Sequence, residues 1–266
     1  MCERVTIDDT IPNIARIYDY FLGGTTNYPC DRELAEQLLR VAPEARTMAR
    51  DNRAFLGRVV RHLTARGVRQ FLDIGTGLPT QENVHQVARR IAPATRVVYV
   101  DNDPVVLAHA DALLAGDRAV AVAEADLRRP AELLAHPAVR RLLDFDRPLA
   151  ILLVGIVYFL TDTDRPSDVV ATLRDALPPG GYLAMSHVVS DGRSDLLGRA
   201  QELYRGFLRR GGDARRTRAQ VESFFAGLEL VPPGLVYVGN WRPEAETADP
   251  LDRSGWLLGA VARKPG

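Results

Sequence analysis

The stretch FLDIGTGLPTQENVHQVA, residues 71–88, joins an apolar run to a glycine-containing turn and then to a segment with helical spacing. A strand that leads through glycines into a helix is typical of nucleotide-binding α/β proteins. The glycines let the backbone approach the ligand at the start of the helix. The pattern therefore predicts a ligand site at the end of this first strand.

The residues around the glycines narrow the choice of ligand. Gly75 and Gly77 are present, but Thr80 stands where a dinucleotide-binding turn has its third glycine. Asp73 lies two residues before Gly75, where a carboxylate would repel a pyrophosphate and attract an ammonium or sulfonium group. We therefore expect a cationic nucleoside, for which S-adenosylmethionine (SAM) is the candidate.

The segments that follow the turn alternate in character. We predict strands at 69–74, 96–102, 119–126, 148–160 and 181–189, and helices at 81–91, 104–114, 131–143 and 166–177. Regular alternation of strands and helices predicts an α/β fold with a parallel sheet and right-handed crossovers. The run 148–160 is apolar almost throughout, as is typical of a central strand covered on both faces.

The two flanks of this alternating region differ from it. Helical spacing at 12–24, 31–42 and 44–67 predicts an N-terminal helical cap or lid over residues 1–66, with the core spanning 67–266. Helices are also predicted at 194–210 and at 217–227, where Thr217 and Gln220 are spaced as a capping box. Residues 228–241 and 255–264 then predict an antiparallel strand pair, which a plain dinucleotide-binding fold does not have.

Two further carboxylates follow predicted strands. Asp101 ends the second strand and is placed to accept hydrogen bonds from both ribose hydroxyls. Asp126 ends the third strand and can accept the adenine amino group while Leu127 packs on the ring; the alternative is a solvated loop position. Asp103 precedes a proline and is predicted to be a helix N-cap instead. Asp73, Asp101 and Asp126 should therefore converge on one edge of the sheet.

Six stretches together resemble the S-adenosyl methyltransferase family of actinobacteria, a former family of unknown function among the class I SAM-dependent methyltransferases. They are residues 11–39, 71–88, 97–114, 126–128, 178–188 and 241–244, so the resemblance spans essentially the whole chain. It implies a Rossmann-like sheet of seven strands, mostly parallel, with an antiparallel C-terminal hairpin and an N-terminal cap over the cofactor. It also implies SAM as the cofactor, and it leaves the acceptor undefined.

The residues expected to bind the cofactor lie on the glycine turn, at the strand ends and on the third helical segment. Arg53 is included because a bidentate guanidinium suits the cofactor's carboxylate. The full set is Asp73, Gly75, Thr76, Gly77, Asp101, Asn102, Asp126, Leu127, Gly155 and Arg53.

Two side chains are candidates for orienting or deprotonating the acceptor. Tyr158 follows the fourth strand, where the resemblance leads us to expect a histidine, and His187 lies near the end of the fifth. His187 has the better intrinsic pKa for a base. The alternatives are a hydrogen-bonded structural His187 and a Tyr158 that only packs. Methyl transfer from a sulfonium is an in-line displacement with a neutral leaving group, so it mainly requires alignment and exclusion of water.

Five residues are predicted to contact the acceptor, two beside the glycine pair at 23–24 and three in the terminal strand pair. They are Tyr18, Tyr28, Asn240, Trp241 and Arg242. The density of polar and aromatic groups beside the glycine pair indicates a lid. The alternatives are a surface ion pair between Arg16 and Asp19, which helical spacing puts on one face, and a Trp241 packed on the core.

Composition bears on the remaining functional classes. Lys+Arg and Asp+Glu are each 34, and a formal net charge of zero argues against a general nucleic-acid binder. Two cysteines give no disulfide framework, and no run reaches transmembrane length, so we expect a soluble cytoplasmic protein that is not bound to a membrane. No His/Asp cluster has ligand spacing, so no metal is expected. The sequence leaves the oligomeric state open.

The sequence thus favours a SAM-dependent methyltransferase that acts on a small molecule, such as a secondary metabolite or a peptide. The alternative is a catalytically silent regulatory protein of the same fold that binds SAM or S-adenosylhomocysteine. Asp73 and the missing third glycine disfavour a nicotinamide-dependent oxidoreductase. Nucleic-acid methylation is disfavoured because no Asn/Asp-Pro-Pro-aromatic motif is visible.

Overall fold

The computed structural model describes residues 8–79, 82–114, 116–191, 215–243 and 256–266. Within these ranges, eight strands form one sheet: β1 (Gln70–Ile74), β2 (Arg96–Asp101), β3 (Val120–Glu124), β4 (Ala150–Val154), β5 (Tyr182–Val188), β6 (Glu229–Leu230), β7 (Val236–Tyr237) and β8 (Leu257–Arg263). The strand order is β3-β2-β1-β4-β5-β8-β6, and β7 also pairs with β8.

The first five strands are parallel, and their register determines which residues lie side by side at the carboxyl edge of the sheet. Asp73 pairs with Tyr99 on one side and with Leu152 on the other, while Asp101 pairs with Glu124. β8 is antiparallel to β5 over seven residue pairs, and β6 and β7 are antiparallel to β8. The predicted parallel sheet with an antiparallel C-terminal hairpin is confirmed.

Alternate residues of each central strand serve two separate cores, as the period-2 geometry of a strand requires. In β4, Ala150 and Leu152 join one hydrophobic cluster, whereas Ile151 and Leu153 join the other. Both clusters are nearly inaccessible to solvent, which explains the continuous apolar sequence of this strand.

Helices cover both faces of the sheet. The described helices are α1 (Ile14–Phe21), α2 (Pro29–Val41), α3 (Ala45–Ala65), α4 (Val84–Arg89), α5 (Pro104–Leu114), α6 (Pro130–Ala135), α7 (Pro137–Leu142), α8 (Pro166–Asp175) and α9 (Arg218–Ser223). Residues of α3 and α4 contribute to one core, and residues of α6, α7, α8 and α9 contribute to the other. None of them is both long enough and apolar enough to cross a membrane.

Helices α1, α2 and α3 pack on one another around a third hydrophobic cluster that includes Ile17, Phe21, Leu38 and Ala49. α1 begins at the N-cap Asn13, whose side chain accepts a hydrogen bond from Arg16 N. The α1 helix ends two residues before Gly23, which has a φ of 81°. Gly23 thus supplies the left-handed conformation that commonly follows a helix end.

Two details of the sheet differ from the sequence-based expectation. The described residues form eight strands rather than seven, because Pro232 and Pro233 have no backbone N–H and separate β6 from β7. β4 stops at Val154 instead of continuing to residue 160, since Gly155 turns the chain with a φ of 78° into a 3-10 turn at Val157–Phe159. The predicted helix at 194–210 lies outside the described residues.

Candidate functional site

A cavity of about 400 Å³ lies between the carboxyl ends of the parallel strands and helices α1 to α3. Its volume is within the range of small-ligand sites in proteins. The wall combines residues that follow β1, β2, β3 and β4 with residues on one face of each of the three helices. The ten residues predicted to bind the cofactor all line it: Arg53, Asp73, Gly75, Thr76, Gly77, Asp101, Asn102, Asp126, Leu127 and Gly155.

The glycine turn after β1 has a backbone shape that side chains disfavour. Gly75 and Gly77 have φ values of 71° and 65°, and Gly75 N donates a hydrogen bond of 2.8 Å to Val100 O. A Cβ atom on Gly75 would lie 2.5 Å from Ile156 Cγ1, whereas one on Gly77 would meet nothing within 4 Å. Gly75 is thus required for both its conformation and its packing, and Gly77 for its conformation alone.

Asp73 is the most deeply placed carboxylate of the cavity. Thr76 Oγ1 donates a hydrogen bond of 2.8 Å to Asp73 Oδ2. Burial raises the pKa of Asp73 to about 6, and the Thr76 hydrogen bond and the charge of Arg53 oppose this rise. A cation bound in the cavity would favour the ionised form, so this position suits a positively charged ligand.

Asp101 holds the glycine turn and the start of α5 together. Its carboxylate accepts backbone hydrogen bonds from Gly77 N at 3.0 Å, Asn102 N at 2.9 Å and Asp103 N at 3.1 Å. Burial raises the pKa of Asp101, while these backbone donors oppose the rise. Asp103 accepts from Val105 N at 2.8 Å, which confirms the prediction that Asp103 caps this helix.

Asp126 has a partner that the sequence did not indicate. Arg128 approaches it in a bidentate pair, with Nε donating at 2.9 Å to Oδ1 and Nη2 donating to Oδ2. Both side chains line the cavity, and Leu127 between them is buried. A ligand amino group at Asp126 would share the carboxylate with Arg128.

A buried polar network connects the sheet with the N-terminal helices. Ser186 Oγ donates to Asn52 Oδ1 at 2.7 Å, and Asn52 Nδ2 donates to Tyr18 Oη at 3.2 Å. Tyr18 Oη in turn donates to Ala49 O at 3.0 Å. Asn52 and Tyr18 line the cavity. Asn52 and Ser186 were not predicted; the signal for Asn52 is its i, i+4 spacing to Leu56 along α3.

The two predicted catalytic residues differ in their placement. Tyr158 lines the cavity, in the 3-10 turn that follows β4. His187 is not among the lining residues; it is completely buried, with Nδ1 donating to Val188 O at 2.6 Å. Its ring packs between Tyr158 and Phe224, with ring centroids 6.0 Å apart in both pairs. Burial lowers the pKa of His187 to about 4, so the structure does not present it to an acceptor as a base.

Of the five predicted acceptor contacts, the structure brings only Tyr18 to the cavity wall. Tyr28 is exposed, and the guanidinium of Arg16 lies 4.8 Å from its ring centroid. Asn240 ends a 3-10 turn away from the cavity lining, and Arg242 donates to Pro232 O.

Trp241 is completely buried, and its ring makes edge contacts with Phe55 and His62. Trp241 is therefore packed in the core, as the alternative interpretation of the sequence proposed, and it does not contact the cavity. Long-range packing on α3, which a single sequence does not show, explains the difference from the predicted acceptor contact.

The alternative of a surface ion pair between Arg16 and Asp19 is wrong. Both side chains are buried, and Arg16 Nε instead donates to Asp31 Oδ2 at 2.7 Å. Asp19 accepts hydrogen bonds from Thr26 N at 2.9 Å and from Asn27 Nδ2 at 3.1 Å. These contacts fix the loop between α1 and α2.

The arrangement as a whole suits a nucleoside that carries both a positive charge and a carboxylate. Three carboxylates converge on one end of the cavity, as predicted from the strand ends. Arg53 lies near enough to Asp73 to lower its pKa and, among the described residues, makes no hydrogen bond or ion pair of its own. A guanidinium in this position is available to a ligand carboxylate. In the described ranges, no group of three or more His, Cys, Asp or Glu side chains could hold a metal ion.

Comparisons with known proteins agree with this chemistry. The model of the S-adenosyl methyltransferase family matches residues 2–265. A crystal structure of a proposed methyltransferase from Thermobifida fusca is similar, with a TM-score of 0.90, 43% sequence identity and coverage of 97% of each chain.

A DUF574 family protein from Streptomyces avermitilis is similar too, with a TM-score of 0.89, 42% identity and coverage of 97% of this chain and 99% of that chain. No curated protein matches the sequence. The sheet, the glycine turn and the carboxylates of the cavity agree with these matches. The chain belongs to the S-adenosyl methyltransferase family, and it is a SAM-dependent methyltransferase.

Proposed function

We propose that this enzyme transfers the methyl group of SAM to a small molecule that binds in the same cavity. The observation that carries the proposal is that one cavity of about 400 Å³ is lined both by the ten cofactor candidates and by apolar side chains of α1 to α3. A cavity of this size is suited to a small acceptor, or to one side chain of a peptide, rather than to a folded protein surface.

The proposed cofactor contacts follow from charge and position. SAM supplies a methyl group bound to a positively charged sulfur. We assign Asp101 to the ribose hydroxyls, Asp126 and Leu127 to the adenine, and Arg53 to the carboxylate of the methionine part. Asp73 supports the positive charge, because its buried carboxylate is stabilised in the ionised form by a nearby cation. Thr76, Asn102 and the three glycines shape the surrounding backbone.

The chain's own contribution to catalysis is then alignment and exclusion of water. The leaving group of an in-line methyl transfer is neutral, so no acid is required. Tyr158 and Tyr18 line the cavity and are the candidates for orienting the acceptor. A silent binding protein would be favoured by a cavity that side chains close beyond the cofactor, whereas this cavity continues along the helices.

We also propose that residues 1–66 act as a cap on a core formed by residues 67–266. This division is supported by two contacts across it. Asn13 Nδ2 donates to Asp103 Oδ2, and Ser186 Oγ donates to Asn52 Oδ1. Both contacts are beside the cavity, so the helices shield the reacting atoms from water.

Calorimetric titration with SAM and S-adenosylhomocysteine tests the cofactor assignment. Wild-type protein should bind both ligands, and Asp101→Asn should weaken binding at least about tenfold, equivalent to ~1.4 kcal/mol. Asp175→Asn, at an exposed carboxylate on α8, is the matched control and should bind like wild type. Equal affinities in all three proteins would reject the role of Asp101. Formation of S-adenosylhomocysteine with a panel of small molecules, and not with folded proteins, tests the acceptor class.

A further inference from the structure

The cavity extends along α3 well past the acidic edge of the sheet. Its lining takes from this helix Ala45, Met48, Ala49, Asn52, Arg53 and Leu56, a stripe with the spacing of one helical face. Arg53 is close enough to Asp73 to affect its pKa, whereas Ala45 is eight residues, or about 12 Å of helix, farther along. The stripe thus leads from the charged end of the cavity into the α1–α2–α3 bundle.

The lining changes in chemistry along this path. At the bundle end, the cavity wall consists of Phe21, Leu38, Ala42, Ala45, Met48 and Ala49, which we call the apolar arm. None of these side chains is charged or can donate a hydrogen bond. Three of them are alanines, and their small side chains leave space between the helices where larger ones would fill it.

The arm is bounded on its polar side by the network of Asn52 and Tyr18. Tyr18 Oη is already engaged with Asn52 Nδ2 and with Ala49 O. An ionised group that entered the arm would lose its hydration and find no partner, which is strongly unfavourable. An uncharged apolar group would instead replace water against six apolar side chains.

We propose that the apolar arm binds the uncharged, apolar part of the methyl acceptor, a ring or a hydrocarbon chain. The acceptor is thereby assigned to the class of small molecules with a hydrophobic body, and its nucleophilic atom lies toward the charged end of the cavity. This inference rests on the proposed function, because it takes the same cavity to hold both cofactor and acceptor.

Two matched fluorescent probes test the arm directly. N-phenyl-1-naphthylamine is uncharged, and 1-anilinonaphthalene-8-sulfonate has the same ring system with a sulfonate added. Both are titrated into the full chain in saturating S-adenosylhomocysteine. We expect the uncharged probe to bind at least about tenfold more tightly than the sulfonate.

Substitutions locate the probe. Ala45→Phe fills the arm and should weaken binding of the uncharged probe about tenfold or more, whereas Ala54→Phe, on the exposed face of the same helix, should leave it unchanged. Met48→Glu, with Met48→Leu as its control, tests the same point through charge and does not depend on tolerance of a larger side chain at residue 45. Wild-type affinity for the uncharged probe in both Ala45→Phe and Met48→Glu would overturn the proposal.

The cofactor titration keeps the two proposals separate. Calorimetry with S-adenosylhomocysteine is run on every variant, and we expect affinities within about twofold of wild type. Cofactor binding without probe binding would overturn the arm and leave the proposed cofactor site intact. Probe binding that responds to the substitutions in a protein that binds no cofactor would support the arm and overturn the proposed function.

Discussion

Asn13 Nδ2 donates a hydrogen bond to Asp103 Oδ2, so the residue that caps α1 is joined to the residue that caps α5. The contact spans ninety positions of the sequence and places α1 against the end of the glycine turn. Ala15 packs there on Leu78, Val105 and Val106. One hydrogen bond thus connects the proposed cap with the edge of the sheet that carries Asp101.

Removal of this connection should loosen α1 and weaken cofactor binding. Asn13→Ala loses an N-cap, which costs about 0.5–2 kcal/mol, and also loses the contact with Asp103. Thr217→Ala removes a comparable cap from α9 at a residue that does not itself line the cavity, and it should reduce stability without changing affinity. Amide hydrogen exchange in α1 and calorimetry with S-adenosylhomocysteine provide the measurements.

A change of charge at Asn13 distinguishes its role as the N-cap of α1 from its hydrogen bond to Asp103. Asn13→Asp keeps a capping oxygen but places a second carboxylate against Asp103, so cofactor affinity should fall as in Asn13→Ala. Asp103→Asn in the same protein restores a donor and should recover most of the affinity. Failure of the double variant to recover would mean that the contact does not position α1.

The glycine turn offers a matched pair of substitutions. Gly77→Ala forces an alanine into a positive φ at a cost of about 1–2 kcal/mol. Gly75→Ala pays the same conformational cost and also overlaps Ile156, which adds about 1–3 kcal/mol. In urea denaturation, the free energy of unfolding should be highest for wild type, lower for Gly77→Ala and lowest for Gly75→Ala. The Ile156→Ala change should narrow the gap between the two glycine variants, and an unchanged gap would contradict the packing explanation.

Asp73 should couple cofactor binding to pH. Its pKa in the folded protein is about 6, above the ordinary value of 3.8, so the folded state holds this proton more tightly than the unfolded state. Its contribution to stability is therefore fully present below pH 3.8 and is lost as the pH rises through 6. Asp73→Asn does not ionise, so it should gain about 2–3 kcal/mol of unfolding free energy relative to wild type between pH 4 and pH 7.5.

Cofactor affinity should depend on pH in the opposite direction to stability and should be greater at high pH. A positively charged ligand favours the ionised carboxylate, so wild-type affinity for SAM should fall as the pH drops below 6. Asp73→Asn should bind weakly at every pH. Melting temperatures with and without SAM from pH 5 to 8 test both effects, and a pH-independent wild-type affinity would exclude Asp73 as the group that supports the positive charge.

His187 should affect stability in acid rather than catalysis. Burial lowers its pKa to about 4 from 6.5, so its contribution to stability is present above pH 6.5 and is lost as the pH falls toward 4. Between pH 7 and pH 5, this loss amounts to about 2 kcal/mol. His187→Phe should remove that part of the acid sensitivity, whereas His109→Gln on α5 should not. A pH–rate profile that lost its ascending limb in His187→Phe would instead indicate a base.

Local sequence is sufficient to predict the site residues that lie at or just after the end of a strand. Asp73 and Asp101 lie in the last two residues of β1 and β2, and Asp126 follows the end of β3 by two residues. Parallel strands bring such residues to the same edge of the sheet. The overrun of β4 has a local cause as well, because residues 157–160 remain apolar after the chain has turned at Gly155. Composition alone does not distinguish a buried 3-10 turn from a strand.

The sequence-based predictions fail for residues whose neighbours come from distant segments of the chain. Trp241 is placed by Phe55 and His62 of α3, and Arg58 donates to the carbonyl oxygen of Trp241 at 2.8 Å. Asn52 has the sequence character of an ordinary polar helix position, yet it lines the cavity and accepts a hydrogen bond from Ser186. Each depends on how α3 crosses the sheet, which the sequence pattern does not specify.

The position of β8 has a consequence for how the chain acquires its structure. β8 follows every other described strand along the chain, yet it lies in the sheet between β5 and the pair β6 and β7. Until residue 263 has left the ribosome, β5 lacks its described partner on this edge, and β6 and β7 lack the described strand that they join. Sheet completion is therefore a late, non-local event, and the nascent chain exposes an edge that invites association with other chains.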